Sequence, residues 1–449
     1  KELSVYVDRE KARFSTWYEF FPRSSSENYG VHGTFKDCER LLPRVQRMGF
    51  DTLYLPPIHP IGEVNRKGKN NTTTTEQGDV GSTWGVGSQH GGHKDIHPDL
   101  GNIDDFKALI KKAKEHNIEI AMDYALQAAP DHPWVKAHPQ WFKWRPDGTV
   151  QYAENPPKKY QDILPIYWES EDYVNLWKAC LDILLYWIDC GIEIFRVDNP
   201  HTKPYHFWNW VITEVKSKHP NVLFLAEAFT APKVMHQLGK QGYTQSYTYF
   251  TWRNSKHEII EYVEELTKTN QKEYMRPNFW PNTPDINPHH LQGANESKHI
   301  QRYVLAATLS SNIGIYGPVF EFMRSEALIG REEYLNSEKF QVTHYDWNIE
   351  NKLIAVITKI NQIRNICSLA LSIRKKEKIK VRQPLKKIII PVKNDAERKE
   401  IIDAKSQIIS EINVKSIEFL DDKNSLLVKQ LKPNFKLLGP KYVRIINDV

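Results

Sequence analysis

The stretch EIFRVDNPHTKP, residues 193–204, decides the fold and locates a site. An apolar run at 192–197 has the character of a strand and ends by presenting Arg196 and Asp198 before Asn-Pro. Alternate residues of a strand face opposite ways, so these two side chains point to the same side. A cation and an anion together at a strand tip indicate either a structural salt bridge or a functional site.

Similar apolar runs recur along the chain with amphipathic stretches between them. We predict strands at 14–21, 52–58, 118–125, 192–198, 222–229, 246–252, 277–280 and 313–316. We predict helices at 34–48, 103–116, 172–190, 203–218, 256–267, 297–309 and 349–364. This alternation predicts an α/β protein with a closed (β/α)8 TIM barrel. Residues 126–170 are too long for a barrel loop, so we expect an inserted subdomain after the third strand.

Composition excludes several classes of protein. A hydrophobic fraction of 40% and a charged fraction of 26% are typical of a globular protein. The four cysteines lie far apart without metal-ligand spacing, which favours reduced thiols and a cytoplasmic location. With no signal pattern and no apolar stretch of about 18 residues, we expect no membrane partner. Because the chain begins with Lys1 rather than Met, we expect a fragment.

Polar residues at strand ends mark the candidate site, because barrel chemistry sits at the C-terminal ends of the strands. Asp123 lies near the end of the third predicted strand, and Asp198 ends the fourth. Glu227 ends the fifth and Asp285 follows the seventh. We therefore expect Asp198, Glu227 and Asp285 to converge on one rim.

Two carboxyl groups about 5 Å apart suit retaining glycosyl transfer, in which one attacks the sugar and the other acts as acid and base. Arg196 would keep Asp198 ionised as the nucleophile. The apolar setting of Glu227 would raise the pKa of that acid. Each carboxylate alone is more often a surface or capping residue, and it is their order at strand ends that favours a site.

Residues 5–364 resemble the glycoside hydrolase family 13 barrel, in particular the α-1,4-glucan:maltose-1-phosphate maltosyltransferases. The resemblance is carried by RFSTWYEFFPRS, LYLPPIHPIG, RKGKNN, GGHKDIHP, LQAAPDHPW, ENPPKKYQDI, FRVDNPHTKP, FLAEAF and RPNFWPNTPDI. Hydrolytic α-amylases carry Asn-His in the motif of the third strand, where this chain has Ala128-Ala129-Pro130. They carry His-Asp in the motif of the seventh strand, where this chain has Pro284-Asp285.

This resemblance implies Asp198 as nucleophile, Glu227 as general acid/base and Asp285 as transition-state stabiliser, with Arg196 beside the nucleophile. It implies no cofactor, and it implies that the substrates are α-maltose-1-phosphate and an α-1,4-glucan, with phosphate as product. The residues implied to contact the maltosyl phosphate are Lys67, Gln127, Asp162, Asn199, Lys339 and the next position, Phe340, with Asn155, Lys158 and Tyr160 placed for the phosphate.

One position departs from the family pattern, and three histidines have the spacing of metal ligands. The family usually has Lys-Tyr where this chain has Lys339-Phe340, so one hydroxyl contact is expected to be lost. His90, His93 and His97 have a spacing that suggests metal ligands. They fall in a loop for which the resemblance implies no metal, so we interpret them as plain loop residues.

The C-terminal tail has a second resemblance. Residues 366–446, through LALSIRKKEKIKVRQPLKKIIIPV, INVKSIEFL and LKPNFKLLGPKY, resemble the C-terminal part of isoleucyl-tRNA synthetases. We therefore predict a barrel domain at 1–365 and a small α+β segment at 366–449, and we interpret their junction as an artefactual fusion. Residues 374–387 carry eight Lys or Arg against one acid, Glu377, which is compatible with weak RNA binding or with a solvated helix end.

Three hypotheses follow. The leading one is a retaining maltosyltransferase acting on α-1,4-glucans, and a homodimer is possible because the family forms dimers. The second is an α-amylase-type hydrolase or transglycosylase. The third is an inactive fragment or chimera whose basic tail binds RNA.

Overall fold

A closed parallel barrel forms the larger part of the molecule. The computed structural model describes residues 6–155, 158–392 and 394–421. The strands of the barrel are β1 (Ser15–Glu19), β2 (Thr52–Leu55), β3 (Glu119–Tyr124), β6 (Ile194–Asp198), β7 (Leu223–Glu227), β8 (Gln245–Ser246), β9 (Asn278–Phe279) and β10 (Asn312–Tyr316). Their order is β8-β7-β6-β3-β2-β1-β10-β9. A parallel bridge from Ser246 to Pro277 links the two ends, so the predicted (β/α)8 barrel is confirmed.

Helices follow the strands and surround them. Their bounds are α1 (Phe35–Arg47), α2 (Ile103–Glu115), α3 (Pro133–Ala137), α4 (Tyr173–Asp189), α5 (Tyr205–Lys218), α6 (Pro232–Lys240), α7 (Lys256–Lys268), α8 (Glu296–Leu309), α9 (Gly317–Glu321), α10 (Lys352–Lys376), α11 (Asp395–Asp403) and α12 (Lys405–Ile412). Local sequence fixes several starts, as in α2, where Asn102 and Asp105 form a reciprocal capping box. None of the helices in the described ranges is both long and apolar enough to span a bilayer.

Two separate layers of apolar side chains hold the barrel. Inside it, Trp17, Tyr54, Tyr247 and Trp280 pack with small and aliphatic residues of neighbouring strands. A larger core lies between the strands and the surrounding helices. Because both faces of each strand are buried, the strands read as continuous apolar runs, and this made them recognisable in the sequence.

The observed elements differ from the predicted ones in several places, of which three stand out. The sixth strand is only Gln245–Ser246, and Tyr249–Trp252 form a 3₁₀ turn. Helix α6 was not predicted, because its nine residues include Gly239 and give a short periodic signal. Helix α10 ends at Lys376 rather than at 364, so the division of the chain into two compact units, after Gln362, falls within it.

Residues 126–170 carry short elements over the third strand. They include α3 and an antiparallel hairpin of β4 (Ala153–Asn155) and β5 (Lys158–Tyr160). The bridge from Ala128 to Leu164 ties the two ends of this region together. The hairpin thereby brings Lys158 and Tyr160 to positions fixed by backbone pairing.

The second unit begins at Ile363. Strands β11 (Ile388–Val392) and β12 (Ile417–Asp421) pair in parallel, and α11 and α12 lie between them in sequence. Ile390, Ile401, Ile408 and Ile412 are among the residues of its small apolar core. The predicted LKPNFKLLGPKY match lies outside the described residues.

Candidate active site

Two carboxylates face each other across neighbouring strands. Asp198 is the last residue of β6 and Glu227 the last of β7, and the strand register pairs them directly. Their side chains are 7% and 10% exposed. The Asn199–Pro200 pair that ends β6 has Asn199 in the left-handed conformation, which turns the chain away sharply after the carboxylate.

Arg196 joins these carboxylates into one network. Its Nη1 lies 2.8 Å from Asp198 Oδ1 and 2.9 Å from Asp123 Oδ2. Its Nη2 lies 3.5 Å from Glu227 Oε2. The side chain of Arg196 is only 6% exposed, so a single buried guanidinium serves three carboxyl groups.

Asn199 completes the contact between the pair. Its backbone N–H donates to Glu227 Oε2 at 3.2 Å, and its Nδ2 donates to Asp198 Oδ2 at 3.3 Å. One residue therefore holds an oxygen of each carboxylate. The two groups are fixed relative to each other before any ligand binds.

The network shifts the pKa values of Glu227 and Arg196. Burial raises the pKa of Glu227 to about 7, with the Arg196 charge opposing the rise and the Asp198 carboxylate adding to it. Burial also works against the charge of Arg196, but the phenol and carboxyl groups around it keep its pKa above the ordinary value. A permanent cation and a partly protonated acid therefore lie beside Asp198.

Asp285 lies at the same mouth and is held by two lysines. Lys339 Nζ is 2.6 Å from Asp285 Oδ1, and Lys158 Nζ is 3.0 Å from the backbone oxygen of Asp285 and 3.4 Å from Oδ1. Burial alone would raise the pKa of Asp285, but these ammonium groups outweigh it and hold that pKa below the ordinary range. Asp285 is therefore ionised at neutral pH.

Two cavities open on this network. One of about 400 Å³ is lined by Asp198, Gln127 and Lys339 together with Trp84 and Trp168. The other, of about 740 Å³, is lined by Glu227 together with three lysines, Lys67, Lys158 and Lys159. Tyr160, Asn199, His201 and Asp285 line both cavities, so the two cavities adjoin at these residues.

Two other predicted ligands are buried at the edges of the cavities. Gln127 donates from Nε2 to the backbone oxygen of Trp84 at 3.1 Å. Lys67 Nζ donates to the Lys159 oxygen at 3.4 Å and to Gln161 Oε1. Burial lowers the pKa of Lys67, and the Asp162 carboxylate opposes that shift.

Three predicted ligands are placed less directly. Asp162 is 5% exposed and is not among the described residues that line either cavity. Phe340 lines a small neighbouring cavity of about 20 Å³, shared with Lys158, Tyr160 and Lys339. The side chain of Asn155 lies outside the described part of the structure.

Some members of the network were not in the predicted set. Asp123 accepts from Arg196 and from the Tyr54 hydroxyl; its place near the end of the third strand marked it in the sequence, but no role was predicted for it. Lys203 Nζ donates to the backbone oxygens of Asp198 and Asn199 at 3.1 Å, which ties the turn after β6. The Nζ of Lys339 lies 4.7 Å from the centroid of the Trp84 ring, and no sequence pattern indicated that contact.

The histidines separate into different environments. His93 pairs with buried His132 at 3.0 Å, whereas His97 lies with His32 and Asp99 in the one metal-like trio found among the described residues. His97 Nδ1 already accepts the Asp99 backbone N–H at 3.2 Å. Burial lowers the pKa of His97, and the positive charges of Arg23 and Arg66 lower it further, so the trio faces cations. We assign no metal to it.

Comparison with known proteins finds similarity over most of the chain to enzymes that share one name. No protein-family model matches it. It is 57% identical over 365 residues to the α-1,4-glucan:maltose-1-phosphate maltosyltransferase of Chlorobaculum tepidum, covering 81% of this chain and 54% of that protein. The enzyme of the same name from Methylacidiphilum infernorum is also 57% identical over 365 residues, which are 81% of this chain and 55% of that protein. Neither relative is an isoleucyl-tRNA synthetase, so the resemblance of the tail stays a prediction.

Solved structures confirm the fold. A maltogenic α-amylase from Thermotoga neapolitana superposes with a TM-score of 0.61 at 21% identity, covering 80% of this chain and 78% of that one. A cyclic α-maltosyl-(1→6)-maltose hydrolase from Arthrobacter globiformis gives 0.60 at 16% identity, with 82% and 86% covered. The chain spans about half the length of the curated relatives it matches. Over 81% of its length this chain is therefore similar to the corresponding part of the α-1,4-glucan:maltose-1-phosphate maltosyltransferases, and it shares the barrel fold of the α-amylases.

Proposed function

We propose that this protein moves a maltosyl group from α-maltose-1-phosphate to the non-reducing end of an α-1,4-glucan, with retention and release of phosphate. The observation that carries the proposal is the single guanidinium of Arg196 between Asp198 and Glu227, at a mouth that also holds lysines. Because the chain spans only about half of its relatives, activity of this chain by itself is part of the proposal.

In the first step the Asp198 carboxylate attacks the anomeric carbon of the donor. The bond from that carbon to the phosphate oxygen breaks, and its electron pair leaves with the phosphate. Glu227, protonated because burial raises its pKa, gives its proton to the departing oxygen. Ionised Asp285 stabilises the positive charge that develops on the sugar.

In the second step the 4-hydroxyl of the acceptor attacks the same carbon. Glu227, now a carboxylate, takes the hydroxyl proton, and the bond to Asp198 breaks to restore the free carboxylate. Two inversions give net retention. Asn199, which holds an oxygen of each carboxylate, positions both for the two steps.

Division of the lysines between the two cavities supports a phosphate donor. Lys67, Lys158 and Lys159 line the cavity of Glu227, where a leaving group must depart, and would balance its negative charge. Gln127, Lys339 and Tyr160 line the cavity of Asp198 and would contact the maltosyl group. Asn155, Asp162 and Phe340 stay proposed ligands on the resemblance alone.

An α-amylase-type hydrolase is the second candidate, since solved α-amylases share the fold. The lysines beside Glu227 favour the phosphate donor, because a neutral glucan leaving group needs no cations. The test is phosphate release from α-maltose-1-phosphate with and without maltohexaose. Release that depends on maltohexaose, with product lengthened by two glucose units, supports transfer. Maltose without lengthened product indicates hydrolysis.

The remaining proposals concern organisation and partners. We propose a catalytic barrel at 1–365 carrying the 126–170 subdomain, a separate segment at 366–449, a cytoplasmic location and a homodimer.

Weak RNA binding by the tail is supported by the exposure of Lys375, Lys376 and five other basic residues of 374–387. Arg374 is not available to RNA, because its buried guanidinium donates to four backbone oxygens.

A further inference from the structure

The cavity beside Glu227 has two kinds of lining. One set is cationic and consists of Lys67, Lys158 and Lys159. The other set consists of Phe229, Trp252 and Glu332, with the exposed Arg331 beside them, whereas Glu333 lies on the lysine side and lines a smaller cavity with Lys158. At about 740 Å³ the cavity is far larger than a phosphate group, so the phosphate alone leaves the second set unexplained.

Trp252 is fixed in this lining by Glu332. Its Nε1 lies 3.1 and 3.0 Å from the two carboxylate oxygens of Glu332. Its ring meets Phe229 edge to face at 5.1 Å between centroids. The indole is half-buried, so part of its surface is open to the cavity while the rest is held.

Glu332 is itself held by the backbone around it. Its carbonyl oxygen accepts from the Asn287 N–H at 2.8 Å, and the preceding carbonyl, of Arg331, accepts from Gln292 Nε2 at 2.9 Å. The carboxylate is therefore anchored on a fixed loop. An indole fixed in this way loses little conformational entropy when a ligand stacks on it.

We propose that Trp252 is the stacking surface for the glucose rings of the α-glucan acceptor and that Glu332 is its positioning residue. Flat indole faces suit the apolar faces of pyranose rings. The three lysines attract the donor's phosphate to their side, which leaves the aromatic side of the cavity for the neutral sugar. This inference rests on the proposed function, because it assigns the acceptor to the cavity of Glu227.

The experiment is calorimetric binding of maltohexaose to the full chain, which needs no turnover. Trp252→Ala should weaken binding by roughly tenfold through loss of the stacking surface. Trp252→Phe keeps a ring but loses the bond to Glu332 and should weaken binding by about threefold, as should Glu332→Gln. The matched control is Trp144→Ala, which removes an exposed Trp that donates only to the Pro139 oxygen and should bind as wild type does.

Steady-state kinetics separate this role from a purely structural one. In Trp252→Ala the KM for maltohexaose should rise by the same factor as the dissociation constant, with the KM for α-maltose-1-phosphate unchanged. The stacking role of Trp252 is overturned if Trp252→Ala binds maltohexaose as wild type does, or if wild type does not bind it. If wild type binds maltohexaose, Trp252→Ala binds it more weakly and neither releases phosphate, the stacking role stands and maltosyl transfer is rejected.

Discussion

Lys158→Met tests whether the cations beside Glu227 serve the phosphate. Lys158 is the first residue of β5 in the hairpin, and its Nζ is 3.0 Å from the backbone oxygen of Asp285. Its side chain is about one quarter exposed. Methionine keeps the apolar stem and removes the ammonium group. The substitution therefore probes charge at one point of the cavity.

The expected magnitude follows from the bond that is lost. A charge-assisted hydrogen bond to a phosphate oxygen contributes about 1.5–3 kcal/mol, or roughly 10- to 150-fold in kcat/KM. Water can reach the partly exposed Lys158 and screens part of this energy, so the low end of that range, about tenfold, is expected.

The assay compares two donors, α-maltose-1-phosphate and α-maltosyl fluoride. Lys158→Met should lose about tenfold in kcat/KM with the phosphate and stay within about threefold with the fluoride, whose small leaving group does not need the ammonium. Lys339→Met is the matched control. Lys339 bonds Asp285 at 2.6 Å and lines the cavity of Asp198, so its loss should slow both donors alike.

Equal losses with both donors in Lys158→Met would refute the reasoning, because the lysine would then act through Asp285 rather than on phosphate. Unchanged rates with both donors would refute it as well. In either case the division of the lysines between the two cavities would have no bearing on the leaving group.

Three further predictions follow from the same network. Burial raises the pKa of Glu227 to about 7, and the first step with α-maltose-1-phosphate needs its protonated form. The kcat/KM for this donor should therefore fall about tenfold per pH unit above 7. A flat profile from pH 7 to 9 contradicts this. Lys339 lowers the pKa of Asp285 despite burial, so their pairing stabilises the fold above about pH 4 and this stabilisation is lost as pH falls further. The difference in Tm between wild type and Lys339→Met should therefore shrink below pH 4. A constant difference would reject the ion pair as its source. Phe340→Tyr places a hydroxyl beside a cavity of about 20 Å³ and should lower the donor KM by about threefold; an unchanged KM speaks against a contact there.

The barrel could be predicted from the sequence because its strands are buried on both faces and read as continuous apolar runs. The weak prediction was the sixth strand, where Tyr247–Trp252 are as apolar as a strand but turn into a 3₁₀ segment after Ser246. Apolar character alone does not separate these two outcomes. Asp198 and Glu227 could be expected on one rim because both lie at strand ends, and the strand register pairs them.

Contacts between distant loops could not be predicted in the same way. Lys158 and Asp285 are 127 positions apart, and Trp252 and Glu332 are 80 apart. Each pair joins segments whose relative placement depends on the closed barrel rather than on local pattern. Asp123 is the exception, since its position at the end of β3 was visible in the sequence and only its link to Arg196 was not.

The most direct test of the account is whether Asp198 carries the maltosyl group. Fluoride leaves as an anion without a proton, so Glu227→Gln should still react with α-maltosyl fluoride in the first step but stall in the second, which needs a base. Intact-protein mass spectrometry after incubation with α-maltosyl fluoride should show a gain of one maltosyl unit. Peptide mapping should place it on Asp198, and the double variant with Asp198→Ala should show no gain. An adduct on another residue, or none in Glu227→Gln under conditions where wild type turns over, would contradict the double-displacement mechanism.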